Sequence, residues 1–126
     1  PIVNKQVSEV IVELASNDVQ LFDTRVIAKN GESEDYKLIN ITTVISMVDY
    51  ERSEIEYMSD GNAIRGYWML KLKEHDLPQG IHLAREEATH SVLYASEKVA
   101  KTMNKLKLRG LSFVDAERAR SRGLMR

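Results

Sequence analysis

With 126 residues, 29% of them charged and 43% hydrophobic, few prolines and glycines and no cysteine, the chain reads as a folded domain, and it excludes disulfides, thiol catalysis and cysteine metal sites. No apolar run approaches the roughly 20 residues of a membrane helix, and the opening PIVNKQ lacks the apolar core of a secretion signal, so no membrane contact is expected and the expected location is the cytoplasm. The net charge is only −1, yet residues 1–60 hold 5 basic and 12 acidic side chains while residues 98–126 hold 9 and 2, a polarity able to steer a charged partner.

Ser8 is read as the N-cap of a helix through Ala15, because its hydroxyl can accept a free backbone N–H, with Val10, Ile11 and Leu14 as the apolar stripe. The SND at 16–18 breaks that helix. Val19, Leu21, Val26 and Ile27 then predict a strand ended by KNGE, and Tyr36, Leu38 and Asn40 a second one. From Ile41 the apolar residues Ile41, Val44, Ile45 and Val48 fall at i, i+3, i+4 and i+7, which predicts a one-sided helix capped by Asn40 and stopping near Asp49.

Ile55 and Tyr57 alternate with Glu54 and Glu56, SDGN at 59–62 supplies a turn, and Ile64, Trp68, Leu70 and Leu72 recur at even spacing. The pattern predicts a hairpin with Trp68 in the core. LPQG at 77–80 reads as a loop, IHLAR as a short strand, EEATHS as a turn and VLY at 92–94 as another short strand. A helix from Ser96 to about Leu106 puts Val99, Ala100, Met103 and Leu106 on one face and Lys98, Lys101 and Lys105 on the other. Gly110 is its natural stop, with Leu111 and Phe113 in a closing strand. The elements together predict an α+β fold, a mixed or mainly antiparallel sheet with about three short helices packed on it. Residues 1–115 form one expected domain and 116–126 a basic tail carrying Arg118, Arg120, Arg122 and Arg126.

The residues that carry chemistry are sparse. His75, His82 and His90 are irregularly spaced and form no metal-ligand pattern, so no metal or other cofactor is expected. The strained serine turn of hydrolases and the phosphate-binding glycine loops are both missing from the sequence. Glu54 with Glu56, or Glu86 with Glu87, could pair as acid and base, but alternating or adjacent surface carboxylates are common without such a role. Lys98, Lys101, Lys105 and Arg109 make a basic stripe without the interleaved aromatics that stack on bases.

The run DYKLINITTVISMVDYERSEIEY at 35–57 carries a resemblance. Tyr36, Leu38 and Asn40, an amphipathic run, then Asp49 and Ser53 with Glu54 follow one another in an order resembling the immunity proteins of bacterial polymorphic toxin systems, the eleventh immunity class, once catalogued as domain of unknown function sixteen twenty-nine. Val7-Ser8 through Phe22 match the family's opening helix and strand, and Leu93-Tyr94-Ala95-Ser96-Glu97 with Leu108-Arg109-Gly110-Leu111-Ser112-Phe113 match its closing pattern, so that the likeness spans roughly 7–115. The resemblance implies a non-enzymatic protein that binds and sterically neutralises a cognate toxin, with no direct role for nucleic acid. It also implies that Tyr36, Asn40, Asp49 and Ser53 hold the scaffold while Glu51, Glu54, Glu56 and Asp60 face the toxin. The alternative is a small nucleic-acid-binding or regulatory module using Lys98, Lys101, Lys105 and Arg109.

Overall fold

A computed structural model of the chain describes residues 1–107, 112–115 and 117. A short strand β1 (Ile2–Asn4) runs straight into helix α1 (Lys5–Ala15). Asn4 ends the strand and caps the helix, its Oδ1 accepting the Val7 N–H at 2.9 Å. This corrects the expected cap: Ser8 lies a turn inside, buried, and its hydroxyl donates to the Lys5 carbonyl at 2.7 Å. Asn and Ser are comparable caps, and the winner is the one whose backbone is still extended. One 3-10 turn, Ser16–Asp18, leads into the long hairpin β2 (Val19–Ala28) and β3 (Gly31–Ile41). The two-residue connection Lys29-Asn30 is closed by Gly31 at φ 133°, a backbone conformation that L side chains rarely adopt.

β1 and β2 flank β3 in an antiparallel sheet. Because cross-strand partners share a face, Val19, Leu21, Ile39 and Ile41 all look one way, onto the apolar side of α1 (Val7, Val10, Ile11, Ala15). The opposite face carries a row of exposed apolar residues, Ile2, Leu38 and Phe22, in register across all three strands.

Strand β4 (Val44–Ile45) pairs in parallel with β7 (Leu83–Glu86), which pairs antiparallel with β8 (Leu93–Ala95). Strands β5 (Glu54–Tyr57) and β6 (Ile64–Met69) form a separate hairpin. Helix α2 (Glu97–Lys105) closes the first core with Val99 and Met103. Its cap is the expected Ser96, which accepts the Val99 N–H at 3.2 Å. The second core gathers Met47, Val48, Tyr67, Leu70, Leu72 and Tyr94. The architecture is thus α+β with mainly antiparallel pairing, and among the described residues it has two α-helices where about three were expected.

The missing helix is the one expected over 41–48. Ile41 ends β3, Val44 and Ile45 form β4, and Val48 makes an antiparallel bridge to Leu72. Six of those eight residues are β-branched, which stiffens χ1 against a helical turn and favours an extended chain. The backbone donors that a helix would use internally at Met47 and Val48 go instead to the distant Glu86 side chain, at 2.8 and 2.9 Å. Phe113 packs on the first core outside any strand, while Gly110 and Leu111 lie outside the described residues.

Candidate functional site

Two buried acids sit at the seams of the fold. Glu86 is fully buried at the end of β7 and accepts from four donors: Met47 and Val48 N–H and the Tyr94 hydroxyl on Oε1 (3.0 Å for the last), and Ala88 N–H on Oε2 at 2.7 Å. Burial, then the adjacent Glu86 carboxylate, pushes the Tyr94 hydroxyl well above the ordinary phenol range. Asp18 joins the first sheet to the second: Thr43 Oγ1 donates to its Oδ1 at 2.7 Å, and the His82 and Leu83 N–H groups donate to Oδ2 at 2.8 and 3.1 Å. Burial pushes Asp18 up, but those hydrogen bonds outweigh it and hold the carboxyl below its ordinary 3.8. Both carboxylates are therefore occupied by the backbone they organise. Glu87, the neighbour that could pair with Glu86 as acid and base, is exposed.

A serine, a histidine and an aspartate do meet in space, which the sequence motifs gave no reason to expect. Ser96 Oγ lies 2.9 Å from His82 Nδ1, at the edge of an open hollow that also involves Asp76, Pro78, Glu97 and Lys98. A catalytic triad needs the acid on the second imidazole nitrogen. Here Asp18 bonds the histidine's backbone N–H, and the serine hydroxyl is already the cap of α2. Among the described residues, no three His, Cys, Asp or Glu side chains converge to hold a metal ion, and no helix is long and apolar enough to cross a membrane.

The four candidate acids lie on the β5–β6 hairpin and the turn that precedes it. Asp49 and Ser53 fix the base of the β5–β6 hairpin. Asp49 Oδ1 accepts the N–H groups of Glu51 and Arg52 at 3.1 and 3.2 Å, and its Oδ2 accepts Arg52 Nε at 2.7 Å. The Arg52 guanidinium, outweighing some burial, holds the Asp49 carboxyl below its ordinary value. Ser53 is threaded onto Lys71, its Oγ donating to the carbonyl at 3.1 Å and accepting the N–H at 2.9 Å. Glu51 projects from that turn, exposed. At the tip, Asp60 Oδ1 accepts the Asn62 N–H at 3.0 Å, and Gly61 takes φ 79° to complete the turn. Glu56 sits 3.9 Å from Arg65, and Glu54 is exposed opposite Met69.

The pairing of this hairpin is irregular in an informative way. Glu54 faces Met69, Ile55 faces Tyr67, Glu56 faces Gly66 and Tyr57 faces Ile64, so Trp68 and Arg65 of β6 are each passed over. Ile55, Ile64 and Tyr67 pack into the second core, which leaves Glu54, Glu56 and Met69 on the outer face. Trp68, expected in the core, is 50% exposed, and Tyr67 is the buried aromatic, at 4%. A bulge sets two residues of one strand against one of its partner and resets which side chains look inward, and even spacing from Ile64 to Leu72 conceals that reset.

The basic alternative is less assembled. Lys98, Lys101 and Lys105 are exposed on α2, but Lys101 is paired with Glu97 at 2.8 Å, and Arg109 lies outside the described residues. The tail at 116–126 also lies outside them except for Glu117, which pairs with Lys71 at 3.8 Å. Compared with known proteins, residues 2–118 match the profile described as Immunity protein family (Imm11). No curated protein matches the chain.

Proposed function

Since the chain belongs to the Imm11 immunity protein family, we propose that it binds a cognate polymorphic or contact-delivered toxin in the cytoplasm and neutralises it by covering the surface with which the toxin works. The family match across residues 2–118 is the observation that carries this reading. The geometry supports a binding role: both buried carboxylates are committed to backbone donors, and the candidate acids are displayed on a hairpin whose base is locked to Lys71. Glu51, Glu54, Glu56 and Asp60 present negative charge from base to tip, suited to a basic toxin cleft. Such charges act chiefly on encounter rate and register, and exposed ones are individually weak.

Co-expression tests the reading. Cells making the toxin encoded by the neighbouring gene survive when this chain is supplied and die when it is not. Replacing all four acids by Lys lowers the association rate and flattens its salt dependence while leaving the unfolding midpoint in place. Cells that die equally with and without the chain contradict the reading, and an unchanged association rate removes the acidic hairpin from it.

A further inference from the structure

We propose that Trp68 and Met69, turned outward by the register shift in β6, are the apolar anchor of the toxin interface, and that the surface they seat against is a basic protein face. This deepens the reading above and rests on it.

Large apolar side chains are exposed at several places among the described residues. One is the row Ile2, Leu38 and Phe22 on the open face of the first sheet. Another is the outer face of the β5–β6 hairpin, where Trp68 is 50% and Met69 39% exposed. Of these two, the second stands among the candidate acids: Met69 is directly opposite Glu54, and Glu56 lies two residues along on the same face. Interface centres favour Trp, Tyr, Met and Arg within a polar rim, and a few such side chains dominate affinity. Here an apolar centre and a carboxylate rim occur together, which fixes the complementary partner as apolar at its middle and cationic around it.

The backbone supports the same assignment. Passing over Trp68 interrupts the ladder with β5, yet the strand keeps that irregularity and places Tyr67 inside and the tryptophan outside. Bulges commonly re-aim a side chain at a functional surface. The acids then govern arrival and the two anchors govern residence, since most affinity differences within one interface lie in dissociation.

The chain's single tryptophan makes the test direct without a mutation. The chain is labelled with 5-fluorotryptophan and titrated with the unlabelled, catalytically inactivated toxin domain encoded by the neighbouring gene. The one fluorine resonance is expected to shift on binding. Trp68→Ala and, independently, Met69→Asp are expected to speed dissociation at least ~30-fold with the salt dependence of association unchanged. Phe22→Ser, on the other apolar face, is expected to change it less than about 2-fold, as surface changes remote from an interface do. Urea midpoints establish that each variant is folded, and the resonance reports on the wild-type chain even if one variant is not. Tight binding with an unmoved resonance, or dissociation altered by Phe22→Ser and not by Met69→Asp, overturns the anchor while leaving neutralisation intact. A wild-type chain that neither binds nor protects overturns both.

Discussion

Replacing Glu86 by Gln preserves shape and volume, so nearly all of its effect is on hydrogen bonding. Oε1 holds three donors, the N–H groups of Met47 and Val48 and the Tyr94 hydroxyl, while Oε2 holds one, the N–H of Ala88. The least damaging orientation of the amide keeps its oxygen on the three and turns its NH2 toward Ala88. A backbone N–H is then buried against another donor, at a cost of about 1–3 kcal/mol. The three retained bonds also lose their charge assistance, which is worth several tenths of a kcal/mol or more apiece. The expected destabilisation is about 3 kcal/mol, a large share of the 5–15 kcal/mol typical of a domain. Tyr94→Phe removes one of the three donors on Oε1 and leaves no backbone group stranded, so about 1–2 kcal/mol is expected. Urea unfolding followed by far-UV circular dichroism gives both values, with the denaturant slope unchanged if the folded and unfolded states keep their exposure. Glu86→Gln within about 0.5 kcal/mol of wild type, or costing less than Tyr94→Phe, would refute the view that this carboxylate organises the strand junction.

Stability should also follow pH with a definite sign. Asp18, Asp49 and Glu97 all lie below their ordinary values when folded, so their contribution is complete above about pH 5 and is lost as the pH falls through and below the ordinary carboxylate range. The urea midpoint should therefore drop below pH 4, and Asp18→Asn, whose amide oxygen can stay on the His82 and Leu83 donors while its NH2 turns to the Thr43 hydroxyl, should destabilise by roughly 1–2 kcal/mol at pH 7 through lost charge assistance and show a shallower acid limb. A steep acid limb retained in that variant would count against Asp18 as a source. At the alkaline end Tyr94 is raised, so its contribution is complete below its ordinary 10 and declines as the pH rises beyond it toward the folded value. Tyr94→Phe should flatten that limb, measured the same way. Ser96→Ala, removing the cap of α2, should cost about 1 kcal/mol, where Ser8→Ala should leave the N-terminus of α1 capped by Asn4. Equal fraying of the two helices in amide exchange would contradict that difference.

Much of the fold follows from local rules. Ser96 is followed by a helix of the expected length, KNGE and SDGN close hairpins, and Glu54 and Glu56 do share the outer face that their alternation implies. What local rules miss is set by distant partners. The donors of Met47 and Val48 are taken by an acid 39 and 38 residues away, and those of His82 and Leu83 by one 64 and 65 residues away. No window of a dozen residues contains both ends of such a bond, so the helical spacing from Ile41 to Val48 goes uncorrected unless its β-branched composition is weighed. Trp68 is misplaced for a different reason. The buried set Tyr67, Leu70 and Leu72 changes parity at the bulge, and a sequence reader who assumes one parity assigns the wrong aromatic to the core. The outward placement of Glu54 and Glu56 was legible because turns and alternation are local. The outward placement of Trp68 beside Met69 was not, because it depends on the register shift.

Titration of toxin activity against this chain tests neutralisation by occupancy most directly. At concentrations well above the dissociation constant, activity should fall in a straight line and reach its floor at one chain per toxin, and the floor should be independent of incubation time. Inactivation that continues with time at substoichiometric amounts of the chain would mean turnover, and activity unaffected at equimolar chain would mean no inhibition; either result contradicts the account.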